Sequence, residues 1–145
     1  MNVLELRIGN LVTINNEKHH PKMKGVPLIV CGVEKLCSDE DSFVMLNNVD
    51  EKNNIVIPAF SQIDRFIEPI ELSGEIMLKF GFIEFFHGIY STWAFEEFSN
   101  NFSVDQDSDG FNFQIYGGWL ELNYVHQLQN IYFALTGEEL EFKTK

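Results

Sequence analysis

The stretch FNFQIYGGWLELNYVHQLQNIYFALTG, residues 111–137, decides the fold class of this chain. Apolar and polar residues alternate over Phe111–Tyr116, which is the pattern of a half-buried strand. Gly117-Gly118 then predicts a tight hairpin turn, because both positions tolerate a positive φ. Residues Trp119–Leu122 predict the returning strand. An antiparallel hairpin that leads directly into a helix indicates the α+β class.

The second half of this stretch predicts the C-terminal helix, from Tyr124 to Leu135, with Asn123 as its N-cap and Gly137 as its stop. One stripe at helical spacing is predicted to face the core, flanked by Val125 and Tyr132, and it consists of Tyr124, Leu128, Ile131 and Leu135. The opposite side is the candidate face, made of His126, Gln129, Asn130 and Phe133. A helix with one core face should not carry Phe133 on its other side. We therefore expect the candidate face to meet either the other lobe of the chain, which we favour, or another chain.

Upstream of the helix, residues Phe82–Leu122 are rich in aromatic side chains and predict a curled antiparallel meander of four or five strands. A short helix precedes the meander, with Ser73 as its N-cap and Gly81 at its end. After the C-terminal helix, Glu138–Phe142 is predicted to add a short terminal strand. Residues 71–145 should thus form one lobe, and the lack of a flexible linker predicts that it packs on the preceding residues.

Short apolar runs alternate with polar turns over residues 1–70. They predict a single helical turn at Ser61–Asp64 and five strands, over Leu6–Ile14, Val26–Leu36, Phe43–Leu46, Ile55–Ile57 and Arg65–Ile70. Five short strands with a turn before the last are typical of a small SH3-like β-barrel. We therefore expect residues 1–70 to form an SH3-like barrel lobe.

The charge balance of the chain is strongly acidic. Ten Lys and Arg residues face 22 Asp and Glu residues, for a net charge of −12, and residues 83–141 contain neither Lys nor Arg. Such a chain repels the phosphate backbone of nucleic acids and anionic membrane surfaces. The charge therefore makes nucleic acid an unlikely partner and argues against a membrane. We interpret the acidity first as a property that keeps the protein soluble, with docking on a basic protein partner as the alternative.

No apolar run reaches the length of about 20 residues that a membrane-spanning helix needs. The N-terminus lacks the basic and apolar regions of a signal peptide. The two cysteines, Cys31 and Cys37, are six residues apart in or beside one predicted strand, roughly 20 Å at full extension. This separation is too long for a disulfide. Free thiols indicate a reducing compartment, and we expect a cytoplasmic location.

Motifs for catalysis are absent from the sequence: it contains neither a G-x-S-x-G elbow nor a glycine-rich phosphate loop. The adjacent pair His19-His20 does not combine with the cysteines into a zinc spacing. Residues Asp105–Gly110 match the first six positions of an EF-hand loop, but the twelfth position is Tyr116. We interpret this segment as an Asp-rich hairpin turn, with a weak calcium site as the alternative. The sequence predicts no enzyme activity, no cofactor, and no catalytic or metal-binding residue.

Four strings carry a resemblance that spans most of the chain: LRIGNLV at 6–12, PIEL at 69–72, LKFGF at 78–82 and YVHQLQNIYFALTGEEL at 124–140. They resemble, in the same order, the recurring strings of an uncharacterised protein family of gut Bacteroidetes and their phages. The resemblance implies a cytosolic accessory protein of a phage, prophage or mobile element. Because that family has no assigned activity, the resemblance assigns no functional residue.

The sequence therefore predicts a non-enzymatic accessory protein that acts through protein–protein contacts, and a homo-oligomer is compatible with it. The alternative is a protein that associates with nucleic acid through the N-terminal barrel, a role that small barrels often have. An acidic mimic of nucleic acid is the other form of this alternative.

Overall fold

A computed structural model of the chain describes residues 5–15, 24–35, 42–48, 67–95 and 102–143. They form an α+β structure with two antiparallel sheets and two helices, so the α+β prediction is confirmed. The chain divides into two compact units, Met1–Ile70 and Glu71–Lys145. Neither helix in the described ranges has the length and apolar character needed to cross a membrane.

The first unit contains a four-stranded antiparallel sheet in the order β3-β2-β1-β4. Its strands are β1 (Leu11–Ile14), β2 (Leu28–Lys35), β3 (Ser42–Asn48) and β4 (Ile67–Pro69). Alternate positions of these strands supply the buried core, together with Leu6: Val12, Ile14, Leu28, Val30, Val44, Leu46 and Ile67. Ahead of β1 the chain bends at Gly9, whose φ is 94°. The side chain of Asn10 closes this bend by accepting a hydrogen bond from the Arg7 N–H at 2.8 Å.

A closed barrel is not found among the described residues of this unit, whose sheet ends at β3 on one side and at β4 on the other. A bulge between Val30 and Gly32 interrupts the pairing of β2 with β3. The predicted strand at Ile55–Ile57 and the predicted turn at Ser61–Asp64 lie outside the described residues. Closure depends on how the two end strands continue, so the SH3-like barrel stays a prediction.

The second unit begins with helix α1 (Gly74–Lys79), and the predicted signals at both of its ends are confirmed. The Ser73 hydroxyl accepts a hydrogen bond from the Ile76 N–H at 3.4 Å. Gly81 follows the helix with a φ of 89°, a value that side chains disfavour. The N–H of Phe82 then reaches back to the Met77 carbonyl at 3.1 Å. The helix therefore ends in the geometry that its sequence predicts.

The predicted meander is confirmed as a five-stranded antiparallel sheet in which neighbouring strands in sequence are neighbours in space. The strands are β5 (Ile83–Phe86), β6 (Ser91–Ala94), β7 (Ser103–Gln106), β8 (Phe111–Ile115) and β9 (Gly118–Leu122). The turn between β8 and β9 is displaced from its predicted position. Ile115 pairs with Gly118, so the turn residues are Tyr116 and Gly117 rather than the two glycines. Of the two glycines, Gly117 has a positive φ, of 89°.

One face of this sheet, the inner face, carries buried side chains of alternate residues, including Trp93, Val104, Phe111 and Leu122. Phe102 is the centre of the aromatic core of the unit. Its ring stacks on Phe113 with centroids 5.0 Å apart and meets Tyr132 edge-on at 5.2 Å. Phe82 lies 6.1 Å from the same ring.

Helix α2 (Val125–Thr136) buries a different face from the predicted stripe. Its buried residues are Val125, His126, Leu128, Gln129 and Tyr132. Leu135, predicted to be in the core, is 63% exposed, and Tyr124 and Ile131 are only half-buried. The buried face is rotated by about a quarter turn toward the Val125 and Tyr132 flank, at 3.6 residues per turn. The physical reason is Tyr132, whose ring contacts Phe95 and Phe102 at 5.9 and 5.2 Å.

The N-cap of α2 is Tyr124 rather than the predicted Asn123. The Gln127 side chain replaces the expected asparagine cap: its Oε1 accepts hydrogen bonds from the N–H groups of Asn123 and Tyr124 at 2.9 and 3.0 Å. At the other end, Gly137 has a φ of 74° and its N–H donates to the Phe133 carbonyl at 2.8 Å. The predicted glycine stop is therefore confirmed.

The predicted terminal strand at Glu138–Phe142 is wrong, because this segment packs on α1 instead of pairing with a strand. Leu140 is buried. The ring of Phe142 meets Phe80 edge-on at 5.2 Å. The Lys143 N–H donates to the Lys79 carbonyl, at the end of α1, at 2.8 Å.

Candidate functional site

The outer face of the five-stranded sheet carries a row of polar side chains. Thr92 on β6 lies opposite Asp105 on β7, Asp105 opposite Asn112 on β8, and Asn112 opposite Glu121 on β9. Directly opposed residues of antiparallel strands project from the same face. With a strand spacing of about 4.8 Å, the row is roughly 14 Å long.

A cavity of about 710 Å³ opens over this row and extends to the two turns at one end of the sheet. We call it the acidic groove, because four of its nine lining side chains are carboxylates: Asp105, Asp107, Asp109 and Glu121. Asn112 and Gln106 also line it, but the Gln106 side-chain amide lies on the inner face, where it bonds to Trp93. None of the described residues that line it is Lys or Arg. Like charges around one concave surface focus a negative potential that attracts cations.

Two of the carboxylates are held in fixed orientations. The Thr92 hydroxyl donates to Asp105 Oδ1 at 2.7 Å across the β6–β7 pair. Asp107 Oδ1 accepts hydrogen bonds from the N–H groups of Asp109 and Gly110, at 2.8 and 3.2 Å. The Asp-rich segment is thus the hairpin turn that its sequence predicts. Because each carboxylate is fixed through one oxygen, less side-chain entropy is lost when a ligand binds.

Apolar side chains form the rim of the groove. Trp119 is 58% exposed and Tyr90 is 43% exposed, and Ile89 lies beside Tyr90 in the β5–β6 turn. The other tryptophan, Trp93, is buried on the inner face, where its Nε1–H donates to Gln106 Oε1 at 2.8 Å. Exposed aromatic rings beside carboxylates provide stacking and cation–π surfaces for a bound cation.

The residues of the candidate face occupy different environments. His126 and Gln129 are each 1% exposed, Asn130 is half-buried, and Phe133 is 38% exposed. The His126 ring lies nearly parallel to Tyr124, with centroids 5.8 Å apart. Only Asn130 and Phe133 therefore offer appreciable surface. The partner of Phe133, whether the other unit or another chain, stays a prediction.

Sequence reasoning missed the acidic groove, although its residues were visible. The alternation at Asp105, Asp107 and Asp109 was interpreted as a turn, which is correct but incomplete. The missing information is the strand register. Asp105 lies opposite Asn112, and Asn112 lies opposite Glu121, because the turn between β7 and β8 spans Asp107–Gly110. The signal that could have found the groove is the alternation of exposed polar residues on β7, β8 and β9 taken together.

The described residues bring no catalytic set together. His87 is exposed and stacks beside Tyr90 at 4.9 Å. Across the described ranges, no group of three or more His, Cys, Asp or Glu side chains could hold a metal ion. Cys31 is a free, half-buried thiol. Cys37 and the pair His19-His20 lie outside the described residues. The predicted absence of an enzyme activity, a cofactor and a metal site stays a prediction.

Comparison with protein-family models finds no match to this chain, and neither the curated proteins nor the solved structures contain a match.

Proposed function

We propose that the protein is a non-enzymatic binding module whose acidic groove holds a cationic segment of a protein partner. The observation that carries the proposal is the groove lining, in which the described residues provide four carboxylates and an aromatic rim and include neither Lys nor Arg. A Lys or Arg side chain can place its cationic group among the carboxylates and its methylene stem against Trp119. Both contacts use features that the groove already has.

The size of the groove favours a peptide. A polar row of roughly 14 Å accommodates about four residues of extended chain, at 3.3 Å per residue. A segment of this length with cationic residues at alternate positions can direct each of them toward the sheet. Nucleic acid and anionic lipid would meet the same carboxylates with their phosphates, and like charges at this distance repel.

We further propose that the protein acts in the cytoplasm as an accessory protein of a phage, prophage or mobile element. The four strings that resemble the Bacteroidetes phage family support this context. Within the same proposal, residues 1–70 form an SH3-like barrel lobe. The four antiparallel strands of the first unit are compatible with such a barrel.

The second candidate function is association with nucleic acid through the first unit, or mimicry of nucleic acid by the acidic surface. The sequence feature that favours the first form is the basic cluster Lys18, Lys22 and Lys24. The net charge of −12 opposes it. Mimicry would instead require a basic surface on the partner that normally binds phosphates.

The test is a titration of the full chain into a fluorescein-labelled peptide of alternating Arg and Ser residues, followed by anisotropy. We expect saturable binding that weakens as salt is added, because the contacts are exposed ion pairs. Asp105→Asn and Glu121→Gln should each weaken binding by about 3- to 10-fold, the range of one partly exposed charge pair. The matched control is Glu138→Gln, which removes the same charge from an exposed position outside the groove.

Three comparisons separate the alternatives. A peptide of alternating Glu and Ser should not bind. A labelled single-stranded oligonucleotide should not bind either, and tighter binding of the oligonucleotide than of the Arg peptide would favour the second candidate function. Equal affinities for the wild type, both groove variants and the control would contradict the assignment of the groove.

A further inference from the structure

Glu121 differs from the other carboxylates of the acidic groove in the use of its two oxygens. Asp105, Asp107 and Asp109 each accept a hydrogen bond within the protein through Oδ1. In the part of the chain that the structure describes, no donor reaches the exposed Glu121 carboxylate. Both of its oxygens are therefore open to a ligand, and such a carboxylate fits a group that presents two parallel N–H donors.

Trp119 lies beside Glu121 on the same face of β9. The two residues are separated by one position, so their Cα atoms are about 6.8 Å apart and their side chains project together. Trp119 is 58% exposed, and its side chain makes no hydrogen bond or ring contact with any described residue. Trp93, by contrast, is buried, and its ring lies 6.3 Å from that of Phe111. An exposed indole without such a structural role is typical of a binding surface.

We propose that Trp119 and Glu121 form a subsite that selects arginine over lysine, an inference that rests on the proposed function of the groove. The guanidinium group of an arginine in the bound segment lies flat on the indole of Trp119. Its edge donates two parallel N–H groups to the two Glu121 oxygens. Stacking on an aromatic face and a forked pair with a carboxylate are the two contacts in which arginine differs from lysine.

A lysine side chain fits this subsite less well, although it carries the same charge. Its ammonium group is compact and its donors diverge, so it cannot present two parallel N–H groups to Glu121. An ammonium is also more strongly hydrated than a guanidinium, so its approach to the Trp119 ring removes water at a higher cost. Lysine therefore keeps the charge attraction of the groove and loses the stacked, forked geometry.

The other side of the groove accepts either cationic residue. Asp105 is two strands away from β9 and level with Glu121, so its Cα lies about 12 Å from that of Trp119. Its Oδ1 already accepts a hydrogen bond from the Thr92 hydroxyl. The remaining oxygen, Oδ2, can pair with a lysine ammonium as well as with one guanidinium N–H. Selection of arginine is therefore confined to the Trp119 and Glu121 end of the groove.

Two labelled peptides of equal length and charge test the proposal, one of alternating Arg and Ser and one of alternating Lys and Ser. By fluorescence anisotropy with the full chain, we expect the Arg-Ser peptide to bind about 3- to 10-fold more tightly. Trp119→Val should lower this ratio about 2- to 5-fold, because valine suits a strand but offers no aromatic face. The matched control is Tyr90→Val, which removes an exposed ring of the rim beside β6, three strands from β9. This control should leave the ratio unchanged.

A double-mutant cycle tests whether one guanidinium contacts both residues. Trp119→Val and Glu121→Gln should together weaken Arg-Ser binding by less than the product of their separate effects, since both changes act on the same bound group. Trp119→Val combined with Asp105→Asn should give the full product, because these two residues contact different cationic side chains. A full product in both pairs would overturn the subsite.

The outcomes separate this inference from the proposed function. Equal affinities of the wild type for the two peptides would overturn the arginine subsite and leave the cationic-peptide groove standing. Failure of both peptides to bind would overturn both proposals. If circular dichroism shows that Trp119→Val disturbs the fold, Glu121→Gln takes its place. Glutamine accepts through one oxygen, so the Arg-to-Lys ratio should fall in Glu121→Gln and stay unchanged in Glu138→Gln. An unchanged ratio in Glu121→Gln would contradict the subsite.

Discussion

At the scale of single residues, the aromatic core of the second unit gives the clearest energetic expectation. Phe102 is 4% exposed, and its ring contacts Phe113, Tyr132 and Phe82. Phe102→Ala removes these contacts and leaves a cavity, so it should lower the free energy of unfolding by about 3–5 kcal/mol. Urea denaturation followed by circular dichroism measures the loss.

The matched control for Phe102→Ala is Phe86→Ala on β5, because Phe86 is 72% exposed. A substitution there should change the free energy of unfolding by about 0.5 kcal/mol or less. Equal losses in the two variants would contradict the assignment of Phe102 to the centre of the core.

Residue-scale prediction from the sequence succeeded on the strands and failed on α2. Alternation assigned Phe111 correctly to the buried face, because a strand has only two faces. On the helix, the predicted core stripe was wrong, and His126 and Gln129, which were assigned to the candidate face opposite it, are both buried. Helical periodicity gives the width of an apolar stripe, but tertiary contacts decide which of several amphipathic side chains turn inward.

At the scale of elements, the capping residues decide where helices begin and end, and Gly137 allows a direct test. Its φ is 74°, and an added Cβ would meet nothing within 4 Å. Gly137→Ala therefore introduces backbone strain without a clash and should lower the free energy of unfolding by about 1 kcal/mol. Thermal and urea denaturation measure the effect.

Gly137→Asn is the matched variant, since asparagine adopts the left-handed conformation more readily than alanine. It should recover part of the stability that Gly137→Ala loses. If the asparagine variant is no more stable than the alanine variant, the loss does not come from the left-handed conformation.

The sequence predicted element types better than it predicted their partners. Ser73, Gly81 and Gly137 mark their helix ends because capping is local chemistry. The predicted terminal strand failed because strand formation needs a free neighbouring edge, and the segment instead packs Phe142 against Phe80. The groove was missed for the same reason, since it exists only once the register of β7, β8 and β9 is known.

At the scale of the whole molecule, the α+β class could be predicted because the spacing of apolar residues differs between the predicted strands and the predicted helices. Closure of the first sheet into the predicted barrel stays a prediction, because it depends on pairing between strands distant in sequence, part of which lies outside the described residues. The net charge of −12, by contrast, is a property of composition alone. It agrees with the acidic lining of the groove, whose described residues include neither Lys nor Arg.

The whole chain should melt at the same temperature with and without EDTA. In the described residues no side-chain group is arranged to hold a metal ion, and Asp107 in the Asp-rich turn already accepts two backbone hydrogen bonds. Differential scanning calorimetry in the two buffers makes the comparison. A fall of several degrees with EDTA, reversed by calcium, would show that the turn is a calcium site after all.

The central claim is that the acidic groove binds a cationic peptide, and the indole N–H signals of the two tryptophans test it most directly. Trp119 lines the groove, whereas Trp93 is buried and bonded to Gln106. In a ¹H–¹⁵N correlation spectrum titrated with the Arg-Ser peptide, we expect the Trp119 signal to shift and saturate while the Trp93 signal stays in place. An unmoved Trp119 signal at saturating peptide, or an equal shift with the Glu-Ser peptide, would contradict the account.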